Sequence, residues 1–279
     1  MDQQTENQQL GLHPLNRGFI WTPVRGPFRR ITAAQAQSFN ELGFFVLDDA
    51  IDRATVERVR DELDPYEAKT EKYLRAQPNR RALIAEADGI SFTVHLVRHS
   101  KICRNFSASA ILRDLCHDLV GPDSRLYWDQ AVYKKPEYAK IFPWHQDNVY
   151  TYIEPQEYLT CWVALTDATC DNGCPWVIRG GHLRGTLAHR LTEPGWVCRE
   201  DDGADAVAVP VRAGGIVVFS SLTPHRTGTN VTKEVRKSYI LQYAPDGARV
   251  VQTDTLCNAP DRQYLILKNG EPVAPPPLA

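Results

Sequence analysis

The chain has 279 residues, with 32 basic and 34 acidic side chains and a formal net charge of -2. This balance, without a long Lys/Arg block, excludes nucleic acid as an expected partner. No run approaches the roughly 18 apolar residues that cross a bilayer, so no membrane partner is expected. At 43% hydrophobic and 24% charged residues, the sequence can build a sizeable core, and it reads as one domain over 1–279.

Residues 1–30 carry Pro14, Pro23 and Pro27 with no sustained period and read as an N-terminal arm. The start, MDQQTENQQL, lacks the cationic and then apolar pattern of a secretory signal, and seven irregularly spaced cysteines read as reduced thiols. A cytoplasmic protein is expected. Residues 31–122 read as a helical region. Thr32, with Gln35 three positions on, predicts a capped helix over 32–42 closed by Gly43, followed by a short strand at Phe44-Phe45-Val46-Leu47. Val56, Val59 and Leu63 predict a second helix over 52–63, with Pro65 as its stop. Residues 66–100 read as a loop lying over a pocket as a lid, and 107–120 as a third helix ended by Gly121-Pro122.

From 123 to 245 the texture changes. Runs at 125–133, 158–165, 175–178, 206–211, 216–219 and 237–243 are rich in Val, Ile, Tyr and Trp and separated by Gly, Pro, Asn and Asp. Helices first and strands after argue for an antiparallel sandwich or barrel and against a doubly wound sheet. Residues 246–279 read as an irregular C-terminal extension, proline-rich from Pro272.

The chemistry concentrates in four places. In Pro143-Trp144-His145-Gln146-Asp147, strand alternation puts His145 and Asp147 on one face, within reach of one ion. A second histidine, His225, follows the glycine-launched apolar run that starts at Gly214-Gly215. Two histidines and a carboxylate on one face leave positions open for a co-substrate and dioxygen on Fe(II). Farther on, Arg236 and Ser238 share a strand face, a guanidinium beside a hydroxyl suited to a carboxylate. Cys170 and Cys174 flank the turn Asp171-Asn172-Gly173, and no second Cys or His pair completes a structural zinc site there.

This ordered set, His145-x-Asp147, Asp171-Asn172-Gly173-Cys174 leading to Arg179-Gly180-Gly181-His182, Pro224-His225 and Arg236-x-Ser238, resembles the phytanoyl-CoA dioxygenase family of iron- and 2-oxoglutarate-dependent oxygenases. The similarity runs from about Ile31 through the Gly43-Phe44-Phe45 segment onward. It implies a mainly β fold with flanking helices around a double-stranded β-helix, or jelly roll, as in cupins. It also implies Fe(II) held by His145, Asp147 and His225, with 2-oxoglutarate and O2 as co-substrates. Arg236 matches the arginine that pairs with the distal carboxylate, with Ser238 assisting. Trp162 matches a pocket tryptophan, and Thr160 shares its strand face. His182 falls in a turn that is structural in the family.

Hydroxylation of a C–H bond in a small molecule, lipid-like or a secondary metabolite, is the reaction implied by default; desaturation, ring formation and endoperoxidation stay open. The presence of Asp147 disfavours halogenation. A non-redox metal-binding cupin is the rival reading, and Arg236-x-Ser238 argues against it. Arg98, Tyr133 and Tyr150 are candidate substrate contacts. No pattern in the sequence speaks to an oligomeric state.

Overall fold

The structure, a computed structural model, describes residues 11–278. The first ten residues of the expected arm and Ala279 lie outside the described residues. Residues 11–32 cross the molecule without regular helix, tied down by a bridge between Leu12 and Leu187 and by the Asn16 amide, which donates to the carbonyl of Thr186.

Two antiparallel sheets face each other. The larger runs in the order Phe44–Leu47, Ile216–Ser220, Leu159–Ala164, Arg236–Pro245, Ser124–Lys134, Ile90–Val94, and on to two short strands. The smaller runs Ala206–Ala208, Pro175–Ile178, His225–Thr227, Phe142–His145. Period-two alternation divides the larger sheet. Cys161, Val163, Val218, Tyr239 and Leu241 pack beneath the helices, whereas Trp162, Val217, Phe219 and Ile240 point into the space between the sheets. This is the jelly roll expected from the sequence, with helices covering one side.

The first helix, Ala33–Leu42, starts at a reciprocal capping box between Thr32 and Gln35 and ends at Gly43, whose φ of 87° is the left-handed cap geometry. The second helix corrects the expected stop: it covers Arg53–Arg75 with Pro65 inside. Its buried stripe continues past the proline through Glu67, Glu71 and Leu74. Pro65 and Asp61 are both exposed, so the Asp61 carbonyl that loses its helical N–H partner can bond water.

The segment read as a lid is regular structure. After the helix, strands Arg81–Ala82, Ala85–Glu86 and Ile90–Val94 extend the larger sheet, the last pairing with Ser124–Lys134. The expected helix over 107–120 is Ala110–Leu119, and a further short helix, Lys101–Ser107, precedes it, capped by Ser100 accepting from the Cys103 amide. The six expected β runs all hold strands. Phe142–His145 and Leu265–Lys268 are additional, the latter placing part of the C-terminal extension on the edge of the larger sheet. No helix among the described residues is long and apolar enough to cross a membrane.

Candidate metal centre

His145 closes its strand directly opposite His225, which opens the next one, so cross-strand pairing brings the two imidazoles to a centroid separation of 4.2 Å. Asp147 arrives differently from the alternation argument. The sheet ends at His145, and Asp147 begins a 3-10 turn, Asp147–Val149, with its backbone N–H bonded to the Ser221 carbonyl. His225 is likewise not an extension of the Gly214-launched strand. The chain leaves the larger sheet after Ser220 and enters the smaller one at His225. Ligand-capable atoms of His145, Asp147 and His225 all lie within 4.8 Å of one another, with His225 Nε2 3.6 Å from Asp147 Oδ1.

Each histidine is oriented by its own backbone. His145 Nδ1 lies 2.8 Å from the Pro143 carbonyl and His225 Nδ1 3.0 Å from the Thr223 carbonyl. A carbonyl only accepts, so Nδ1 carries the proton and each Nε2 keeps a free lone pair. Burial pulls the pKa of His145 down to about 3 and of His225 to about 4, keeping both neutral, the form that binds metal. Burial raises the Asp147 carboxyl, and Thr160 counters this by donating a 2.6 Å hydrogen bond to Oδ2. Two neutral imidazoles and a desolvated carboxylate converging on one point fit a divalent cation.

The residue between the ligands is a structural tie that the sequence reading passed over. Gln146 is fully buried; its amide donates to the Gly185 carbonyl and its oxygen accepts from the Leu187 N–H. Its own backbone N–H is received at 3.0 Å by His189 Nε2, whose Nδ1 faces the Leu187 carbonyl. His189 therefore positions the loop that carries Asp147. His182 is also structural: it is buried against Trp21, with Nε2 at the Asn40 carbonyl.

Deeper in the barrel Arg236 is wholly buried, with Nη1 donating to Ser238 Oγ at 2.7 Å and Trp162 under its guanidinium at 5.2 Å. Its Nε and Nη2 have no partner among the described residues. Burial lowers its pKa only to about 10, so the charge stays. Two unsatisfied guanidinium donors in a dry interior fit an anionic carboxylate. Lys134 sits across the strand pair from Arg236 and is equally buried, its ammonium resting on backbone carbonyls that include Gly228.

The other expected contacts divide. Tyr150 lines the cavity beside the triad, its ring 5.7 Å edge-on from His145. Thr160 supports Asp147 instead of facing Arg236. Tyr133 lies on the opposite, helix-facing side, with its hydroxyl on Asp64, because it precedes the inward Lys134 by one residue. Arg98 is paired with Asp261 at 2.7 Å and does not line the cavity. Gln242 and Gln130, absent from the sequence reading, do line it.

The family model for phytanoyl-CoA dioxygenase matches residues 39–238, which include His145, Asp147, Thr160, Trp162, His225, Arg236 and Ser238. The chain belongs to the phytanoyl-CoA dioxygenase family. It is accordingly a non-haem iron dioxygenase whose cofactors are Fe(II) and 2-oxoglutarate. Among its relatives, a methylphosphonate hydroxylase of Gimesia maris is 27% identical over 218 residues, spanning 76% of this chain and 80% of that one. The mouse phytanoyl-CoA dioxygenase domain-containing protein 1 is 28% identical over 151 residues, and the chain spans only about half (52%) of its length. A solved structure of EvdO2 from Micromonospora carbonacea, complexed with 2-oxoglutarate, superposes with a TM-score of 0.62 at 25% identity, covering 77% of this chain and 91% of that one. The carbocyclase SnoK from nogalamycin biosynthesis has a TM-score of 0.67 at 20% identity, covering 84% and 96%, and shares the fold.

Proposed function

We propose that this chain hydroxylates an unactivated C–H bond of a small molecule, with His145, Asp147 and His225 holding the iron and Arg236 holding the far carboxylate of 2-oxoglutarate. Fe(II) with 2-oxoglutarate and O2 supplies the oxidising power, with succinate and CO2 as co-products. The protein's residues supply placement. Fixed Nδ1 hydrogen bonds aim both Nε2 atoms at one point, and Thr160 fixes which carboxylate oxygen of Asp147 faces them. Trp162 and Ser238 hold the Arg236 guanidinium flat and leave two donors for the co-substrate.

The observation that carries this reading is Arg236. An arginine buried without a counter-charge among the described residues is costly, and a metal-binding cupin without redox chemistry has no use for one behind its metal. Asp147 occupies the third ligand place, which supports oxygen transfer over halogenation. Desaturation, ring formation and endoperoxidation use the same machinery, and substrate geometry decides among them.

The test is anaerobic titration of the Fe(II)-loaded protein with 2-oxoglutarate, followed by visible charge-transfer absorption, and then succinate release in air. Absorption and succinate in the parent, with loss of both at substoichiometric-to-moderate co-substrate in Arg236→Met, support the assignment. No spectral response in the parent rejects it.

A further inference from the structure

A cavity of about 490 Å³ opens on the His145 and Asp147 side of the triad. This lies within the size range of sites for drug-sized ligands. His145 and Asp147 line it, whereas Arg236, Ser238 and Trp162 do not.

Its chemistry is one-sided. Among the described lining residues, Asp147 alone carries a charge at neutral pH. The walls are aromatic and aliphatic, with Phe92, Trp128, Phe142 and Tyr158 offering flat faces. Apolar character continues to the outside: Tyr73, Leu83, Val94 and Tyr150 line the cavity and are 57%, 96%, 42% and 40% exposed. Large apolar groups gathered at one mouth mark a site of apolar contact. The arginines of adjoining segments are already engaged, Arg75 with Glu71 and Asp88, Arg81 with Glu86 and Glu193, and Arg98 with Asp261.

A polar handle stands among these walls. Gln130 Oε1 accepts from Trp128 Nε1 at 3.2 Å, which fixes the amide, while its own N–H donors bond none of the described residues. It is set to give a hydrogen bond to an oxygen acceptor.

We propose that the substrate is an uncharged, flat, predominantly apolar molecule that presents a carbonyl or other acceptor oxygen to Gln130, and that a phosphonate, phosphate or carboxylate near the reacting carbon is rejected. Beyond the metal itself, an anion buried here meets the Asp147 carboxylate and no cationic side chain among the described lining residues, which disfavours it. This deepens the oxygenase reading and rests on it.

The experiment uses Nile red, an uncharged fused-ring dye that bears a carbonyl, added to the Fe(II)- and 2-oxoglutarate-loaded protein without oxygen. The expected result is a saturable, one-site fluorescence gain that excess methylphosphonate does not reverse. Val94→Asp and Tyr150→Ala, both at partly exposed positions, each weaken the dye by about tenfold or more, with unchanged thermal melts showing that they fold. Absence of saturable binding, equal binding by both folded variants, or displacement by methylphosphonate overturns the proposal. The co-substrate charge-transfer absorption, read in the same samples, separates the two levels. If it persists while the dye fails, only the substrate class falls; if it is absent, the oxygenase reading falls as well.

Discussion

Thr160 Oγ1 donates to Asp147 Oδ2 at 2.6 Å, and the same hydroxyl oxygen lies 3.5 Å from the Gln242 amide nitrogen. The metal-facing carboxylate is therefore oriented by a residue of the opposite sheet. Thr160→Val keeps the shape and removes the donor, leaving a buried carboxylate oxygen unbonded. Metal affinity is expected to fall by about 10- to 100-fold with little change in far-ultraviolet dichroism, as measured by competitive Co(II) titration. Unchanged affinity would mean that the hydrogen bond plays no part in holding the ligand.

Arg236→Lys keeps the charge and loses the planar fork. The apparent KM for 2-oxoglutarate should rise by about 100-fold, as expected for the loss of one or two charge-assisted hydrogen bonds. Metal affinity in the absence of co-substrate should stay as in the parent. A KM within a factor of about three of the parent would place the carboxylate elsewhere.

Asp129 gives a pH prediction away from the metal. It is buried on the helix-facing side of the sheet, accepts from Tyr239 Oη at 2.9 Å and from the Val97 N–H at 3.2 Å, and burial pushes its pKa up to about 6. An unfolded aspartate titrates near 3.9. Between these values the folded chain holds a proton that the unfolded chain has released, so this group's contribution to stability falls as pH rises from about 4 to about 6 and is flat above. Asp129→Asn does not titrate. Urea unfolding should show the variant gaining on the parent by on the order of 2 kcal/mol between those pH values, and a pH-independent difference would reject the shift.

Gly43 joins the first helix to the metal loop. Its φ of 87° is left-handed, and a Cβ there would lie 2.6 Å from both His182 Nδ1 and Thr223 Oγ1. Thr223 also supplies the carbonyl that orients His225. Gly43→Ala is expected to cost roughly 2–3 kcal/mol in urea unfolding and to weaken metal binding as well. Loss of stability with full metal affinity would show that the loop absorbs the clash without moving His225.

The metal triad was legible from the kinds and order of its residues, although the local alternation used to join His145 to Asp147 is not what brings them together. His145, Asp147, His225 and Arg236 stand in segments whose residue types and order are diagnostic even before any strand is paired. What escaped depended on pairing. Tyr133 seemed available until cross-strand register placed Lys134, not Tyr133, opposite Arg236. Gln242 could have been found, since it continues the even-numbered face of Arg236, Ser238 and Ile240. Gln146 and His189 could not, because their hydrogen bonds join segments about forty residues apart, with |i−j| values of 39, 41 and 43. Pro65 misled for a physical reason: a helix tolerates proline where the orphaned carbonyl meets solvent, and exposure is a tertiary property. The strands over residues 81–94 were hidden by their brevity and by charges placed at the sheet edge.

Lys134 and Arg236 face each other across neighbouring strands, two basic side chains buried side by side. Burial first, and Arg236 and Arg226 next, depress the Lys134 pKa to about 6. Lys134 is thereby neutral at physiological pH and Arg236 keeps its charge, so an anion that binds only the folded chain adds stability with its concentration. The melting temperature is therefore expected to climb as 2-oxoglutarate is added, and a melt that does not move would show that the co-substrate does not favour the folded chain over the unfolded one.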